Sequence, residues 1–148
     1  MSAFVDPRGP RVGAAITTVV LAAVLLTGSG WLLAAQAVVF AVGAFAGLRF
    51  APYGFLYRRL VQPRLAPPTT LEAEAPPRFA QAVGFAFAVV GAIGYLTGLT
   101  PLGVVATAFA LVAAFLNAAF DICLGCEVHL RIVRLLGRPV VRYIARTS

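Results

Sequence analysis

Four apolar runs, Val12–Gly28, Trp31–Leu48, Phe79–Gly98 and Leu102–Ile122, leave this chain few ways to fold. Each has the roughly 17–25 residues a helix needs to cross about 30 Å of hydrocarbon, and the only charged side chain within them is Asp121, at the very end of the last. A soluble domain carries about a quarter charged residues; here 11% are charged and 61% are hydrophobic, with a mean hydropathy of +0.93. The expectation is one integral membrane domain, all-α, embedded in a lipid bilayer. Thr27-Gly28-Ser29-Gly30 and Thr97-Gly98-Leu99-Thr100-Pro101 are short, uncharged and rich in helix breakers, so the four transmembrane helices form two tandem hairpins. The apolar start after Arg8 and Arg11 has the look of a signal peptide, but a second apolar run follows without a convincing cleavage site. It is therefore read as a retained first span.

All twelve basic residues are arginine, and none lies in either turn. Arg8 and Arg11 precede the first span; Arg49, Arg58, Arg59, Arg64 and Arg78 lie between the second and third; Arg131, Arg134, Arg138, Arg142 and Arg146 follow the fourth. Short cytoplasmic loops accumulate such charges, which predicts that both termini and the long middle segment are cytoplasmic. Because the arginines flank apolar spans and form no patch with stacking aromatics, the pI near 10.8 does not point to nucleic acid. Phe50, Tyr53, Phe55 and Tyr57 suit an interfacial helix. Pro67-Pro68 through Pro76-Pro77 is expected to be an extended linker, and Val128 to Arg146 a basic amphipathic segment on the membrane surface, interrupted at Pro139.

The landmarks repeat. Pro10-Arg11 and Pro77-Arg78 each open a hairpin that turns at Leu-Thr-Gly. Pro52-Tyr53-Gly54-Phe55 ends the first, and Cys123-Leu124-Gly125-Cys126 ends the second. The suspected duplication has repeat 1 at about 10–65, a linker at about 66–76 and repeat 2 at about 77–139. Two spans per unit give both units the same orientation, related by an axis along the membrane normal, so a cleft between Pro52–Phe55 and Cys123–Cys126 is a candidate site.

The chemistry concentrates in Asp121 to His129, which holds both cysteines and the single histidine. A C-x-x-C pair acts as a redox couple when a helix N-terminus or nearby cations favour its thiolate. By analogy with Pro52, Cys123 is expected to open a helix, with Arg131 and Arg134 adding positive potential and Asp121 and Glu127 opposing it. Cys123 is then the attacking thiol, Cys126 the resolving one, and Asp121 or Glu127 a proton carrier. Metal binding is an alternative, with zinc or iron held by Cys123, Cys126 and His129. Another is plain packing, with the last span running straight through two small buried thiols. The c-type haem signature fails because Glu127 stands where histidine would be needed. Gln36 and Asn117 are read as polar links between helices, and Gly43, Gly47, Gly84, Gly91 and Gly94 as close helix contacts. No serine-histidine-acid set or phosphate loop is present in the sequence.

With Pro-Arg-Phe-Ala-Gln at Pro77–Gln81, Pro-Tyr-Gly at Pro52–Gly54 and Cys-Leu-Gly-Cys-Glu at Cys123–Glu127, the chain resembles the four-span bacterial membrane proteins of the domain-of-unknown-function family numbered 4395 over nearly its whole length. The resemblance implies a bacterial inner-membrane protein, and thiol or sulfur traffic with a thioredoxin-like protein or a sulfurtransferase. The favoured function is a membrane thiol–disulfide oxidoreductase or redox relay with no built-in cofactor, a quinone remaining open as a participant. A non-catalytic scaffold or assembly subunit and a transporter of small sulfur compounds are the other readings, and a homo-oligomer fits any of the three.

Overall fold

The computed structural model describes residues 4–67, 71–137 and 142–143, and most of them are helical. Helix α1 (Arg8–Thr27) ends at Gly28, which adopts a left-handed φ of 64° and donates its N–H to the Val24 carbonyl. Lacking a Cβ, glycine takes this conformation without steric cost. Ser29 follows, its Oγ accepting from the Leu32 N–H at 3.2 Å to open α2 (Gly30–Ala41). The end of one helix is thus the start of the next. Helix α2 then widens into a π-helical turn at Val42–Ala46. Beyond it come a 3-10 turn at Leu48–Phe50, the short α3 (Pro52–Leu56), a second π turn at Tyr57–Val61 and a 3-10 turn at Gln62–Arg64. Proline lies in the first turn of both α4 (Ala75–Leu96) and α5 (Thr100–Phe120), where its missing N–H leaves no bond unmade. Helix α6 (Leu124–Leu135) follows.

All four apolar runs of the sequence are helical, and α1, α4 and α5 are long and apolar enough to cross a membrane. The second run, Gly30–Ala46 with its π turn included, is shorter. Trp31 and Val19 remain 76% and 71% exposed. Side chains of that size on the outside of a helix would aggregate in water, whereas hydrocarbon is their natural solvent. The chain therefore has the build of a membrane protein.

Helix α1 packs chiefly on α5, α2 on α4, and α4 on α5, whereas α1 and α2 touch far less despite their short connection. The core is made by Leu21, Val24, Leu33, Ala37, Phe40, Ala88, Ala92 and Ala110. Two arginines tie the cross-hairpin pairs together. Arg11, near the start of α1, donates from Nε to the Ala118 carbonyl at 3.1 Å and from Nη2 to that of Ala119 at 3.5 Å, at the end of α5. Arg78, near the start of α4, donates from Nε and Nη2 to the Ala44 carbonyl at 3.1 and 2.9 Å, and from Nη2 to that of Phe45 at 3.3 Å, at the end of α2. The last carbonyls of a helix have no partner within it and carry the negative end of its dipole, so each cation satisfies a neighbour's helix end.

The aromatic segment after α2 divides by residue type. Phe50 and Phe55 are exposed, while Tyr57 is buried and donates to Asp6 Oδ2 at 2.7 Å. Tyr53 reaches inward, its hydroxyl donating to Gln36 Oε1 at 2.5 Å, and Gln36 Nε2 lies 3.5 Å from Thr17 Oγ1. Phenol groups need partners that benzyl groups do not, so the tyrosines face the bundle. Burial alone would raise the Asp6 carboxyl; the hydrogen bonds from Arg8 and Tyr57 outweigh it and hold the group below the usual carboxylate value. Burial, followed by the bond to Asp6, pushes the Tyr57 phenol up to about 12.

A three-stranded antiparallel sheet at the same end of the bundle joins β1 (Phe4–Val5), β2 (Leu71–Ala73) and β3 (Arg142–Tyr143) in that order. Phe4 pairs with Ala73 and Val5 with Glu72, then Leu71 with Tyr143 and Glu72 with Arg142. Of the expected linker, Leu71–Ala73 is extended, as the central strand of a sheet, whereas Pro76 and Pro77 at its end lie in the first turn of α4. The tail departs further from its expected helical course: α6 stops at Leu135, Gly137 takes a φ of 70°, and the chain returns as β3. A left-handed residue ends a helix, and that interruption precedes Pro139. Pro68, Arg138, Pro139 and Arg146 lie outside the described residues.

Candidate functional site

The site begins where α5 ends. Asp121 takes a φ of 58°, the one non-glycine residue with positive φ among those described. Its N–H donates to the Asn117 carbonyl at 3.2 Å and the Ile122 N–H to that of Leu116 at 3.1 Å. Asp and Asn tolerate this left-handed conformation better than other side chains, so the carboxylate residue itself stops the helix. The last apolar run therefore does not continue through the cysteines. After three non-helical residues α6 starts, with Cys123 as its N-cap in an extended conformation. Its Sγ accepts from the Cys126 N–H at 3.2 Å, as the analogy with Pro52 led us to expect. Cys123 and Cys126 are joined as a disulfide, their Cα atoms 5.1 Å apart.

Gly125 sets how this turn sits on the bundle. A Cβ there would lie 2.6 Å from both Cα and Cβ of Ala80 on α4, closer than any real pair of carbon atoms tolerates. The first turn of α6 therefore rests directly on the first turns of α4. His129, one turn on, packs its ring against Phe79 with centroids 5.4 Å apart, and its Nδ1 is buried without a hydrogen-bond partner.

Asp121, Cys123, Cys126 and Glu127 border one cleft of about 500 Å³. Its walls come from α1, α4 and α5, and its rim includes Val5 of β1 and Glu72 of β2. Asn117, read from sequence as a link between helices, instead lines this cleft, as does Gln81. Pro52–Phe55 and the cysteine turn do not enclose one shared cavity. A second cleft of about 280 Å³ lies at Tyr53, Gly54 and Tyr57, and the two share Val5, Pro10 and Gln81 as lining. Val5 of β1 and Pro10 at the start of α1 thus stand between the two clefts.

Four of the five candidate residues thus meet, while His129 is not part of the cleft lining. Among the described residues no three His, Cys, Asp and Glu side chains form a group suited to hold a metal ion. The chain of Tyr53, Gln36 and Thr17 was missed by sequence reasoning as a unit. It links the smaller cleft, which Tyr53 lines, to the larger one, which Thr17 lines. The signal that could have found it was a glutamine within an apolar span, which needs partners of its own.

What this arrangement can do chemically follows from the helix start. Amide N–H groups directed at a sulfur stabilise its thiolate, a cleft beside it admits a reactant, and carboxylates at the rim can take up or release protons. No curated protein and no solved structure matches the chain. The family model described as a domain of unknown function, DUF4395, matches residues 5–134, a stretch that takes in both arginine clamps, both clefts and the whole cysteine turn, and the chain belongs to that family.

Proposed function

We propose that the protein is a bacterial inner-membrane thiol–disulfide oxidoreductase that exchanges with a thioredoxin-like or sulfur-carrying partner through Cys123 and Cys126. The observation that carries this reading is the cysteine pair at the N-terminus of α6, bonded, capped by its own helix and open to a cleft. In a compartment that keeps thiols reduced, a disulfide of this kind is transient and catalytic. A partner thiolate attacks Cys123 Sγ, the Cys126 sulfur leaves as a thiolate, and a second partner thiol then attacks the mixed disulfide. The partner ends oxidised and the pair reduced, and the same steps run in reverse. Asp121 and Glu127 carry the protons released.

The same reading makes Gly30–Ala46 a fourth span, about 25 Å long at 1.5 Å per residue, with the bilayer thinned or the helix flanks drawn inward to match. Four spans bring all twelve arginines to the cytoplasmic side together with the cysteines. The exchange of partners, α1 with α5 and α2 with α4, each clamped by an arginine, supports the tandem duplication. On α6, Leu124, Val128, Ile132 and Leu135 form an exposed apolar stripe beside Arg131 and Arg134, as an interfacial helix requires.

Thiol trapping across redox buffers tests the reading. The pair is expected to cycle with a midpoint well above the roughly −300 mV typical of structural disulfides. Cys126→Ser is expected to hold a thioredoxin-like protein on Cys123 as a mixed disulfide, and Cys123→Ser to hold far less. A pair locked in one redox state across all buffers, with neither variant trapping a partner, overturns it.

A further inference from the structure

The chain contains two cysteines in all, so a pair reduced by its partner has no second internal pair to receive the electrons. The cleft beside it is graded in polarity. Asp121, Glu127 and the disulfide line it beside the start of α6, the amides of Gln81 and Asn117 line it from facing helices near that level, and Phe87 and Phe109 line it farther along α4 and α5. Phe87 stands seven positions along α4 from Ala80, where the cysteine turn rests, which is about 10 Å deeper into the bundle. The Phe87 and Phe109 rings lie 6.1 Å apart and are exposed on the outer surface of α4 and α5, so the far end of the cleft borders the lipid. A ligand suited to this space has a polar, hydrogen-bond-accepting head at the sulfur end and an apolar tail leaving toward the bilayer.

We propose that the cleft binds an isoprenoid quinone, which oxidises the Cys123–Cys126 dithiol. Amide donors on Gln81 and Asn117 suit ring carbonyls, and a volume of about 500 Å³ holds a quinone ring with the first part of its tail. The reaction balances within the site. Two S–H bonds break and one S–S bond forms; the electron pair enters the ring, and each carbonyl oxygen gains one proton to give the quinol. Both cysteines line the cleft, so a ring held in it lies beside the pair. A phospholipid acyl chain would match the aromatic end but leaves the two amides and the disulfide unexplained. The inference rests on the thiol–disulfide reading and adds a direction to it: electrons pass from partner dithiol to Cys123–Cys126 to quinone.

The test uses the full chain in detergent micelles, reduced, freed of reductant and kept anaerobic, with a soluble benzoquinone carrying one isoprene unit as the probe. One quinol is expected per disulfide formed, and none above background with Cys123→Ser or Cys126→Ser. Ala113 and Ala114 of α5 both line the cleft; filling it with Ala113→Phe is expected to slow quinone reduction at least tenfold while exchange with dithiothreitol stays within twofold, and Ala114→Val, a smaller intrusion, is the second variant should the first fail to fold. A dithiol that exchanges with a thioredoxin-like disulfide but does not reduce the quinone overturns this inference and leaves the oxidoreductase standing. A pair inert toward both overturns both.

Discussion

Gly125 has no side chain because Ala80 occupies the space one would need, with its Cα and Cβ both 2.6 Å from where a Cβ would be. Gly125→Ala is therefore expected to lift the start of α6 off α4 and to cost about 1–3 kcal/mol, as overpacking of tight contacts does, measured by thermal denaturation in micelles. Adding Ala80→Gly is expected to recover only part of the loss, since the backbone Cα remains in the way. Full recovery would mean that the contact is between side chains alone. At this scale the sequence was legible where chemistry is local. Cys123 as the opening residue of a helix followed from the parallel with Pro52, and Gly43, Gly84, Gly91 and Gly94 do stand at close contacts. Gly47 serves a turn as well as a close contact: its φ is 120°, and a Cβ there would lie 3.3 Å from Glu74 Oε1, the side chain before α4. The inward tyrosines were not legible, because a phenol suits a membrane interface and a buried hydrogen bond equally well, and only the position of Asp6 and Gln36 decides between them.

Between elements, the two arginine clamps join helices that are distant in sequence. Arg78 is partly buried and grips two carbonyls of the α2 end through both Nε and Nη2, whereas the bonds from Arg11 to the α5 end are longer on average and exposed. Arg78→Gln is accordingly expected to lower stability by about 1–3 kcal/mol, the scale of hydrogen bonds made by charged groups, and Arg11→Gln by less than about 1 kcal/mol, the scale of solvent-screened interactions. Equal losses would show that the α1–α5 clamp is as shielded as its counterpart. The apolar helices and their breaker turns were legible because twenty residues of one character outweigh any local preference. The π turns at Val42–Ala46 and Tyr57–Val61 were not, since one extra residue per turn is decided by what packs against it. Strands of two or three residues are likewise too short to show a period.

For the whole molecule, the placement of every arginine at one end of the spans predicts opposite sides for the turn at Ser29 and the residue Ser148. Reporter domains fused at each are expected to be active on opposite faces of the membrane; activity on the same face would remove the four-span arrangement. That expectation rests on charge placement, a property of the sequence alone. The pairing of α1 with α5 in preference to α2 was not legible, because tight turns show which helices are connected and not which ones pack. The sheet that gathers the N-terminal strand, the linker and the tail also has a history. Strand β2 is made between the two hairpins and can take up β1 as soon as it emerges, but β3 is translated only after the second hairpin. At roughly 5–20 residues per second, seconds pass in which β2 has one open edge. Because Glu72 on that strand borders the cysteine cleft, this edge of the cleft lacks its last strand until Tyr143 has been made, after every helix of the bundle.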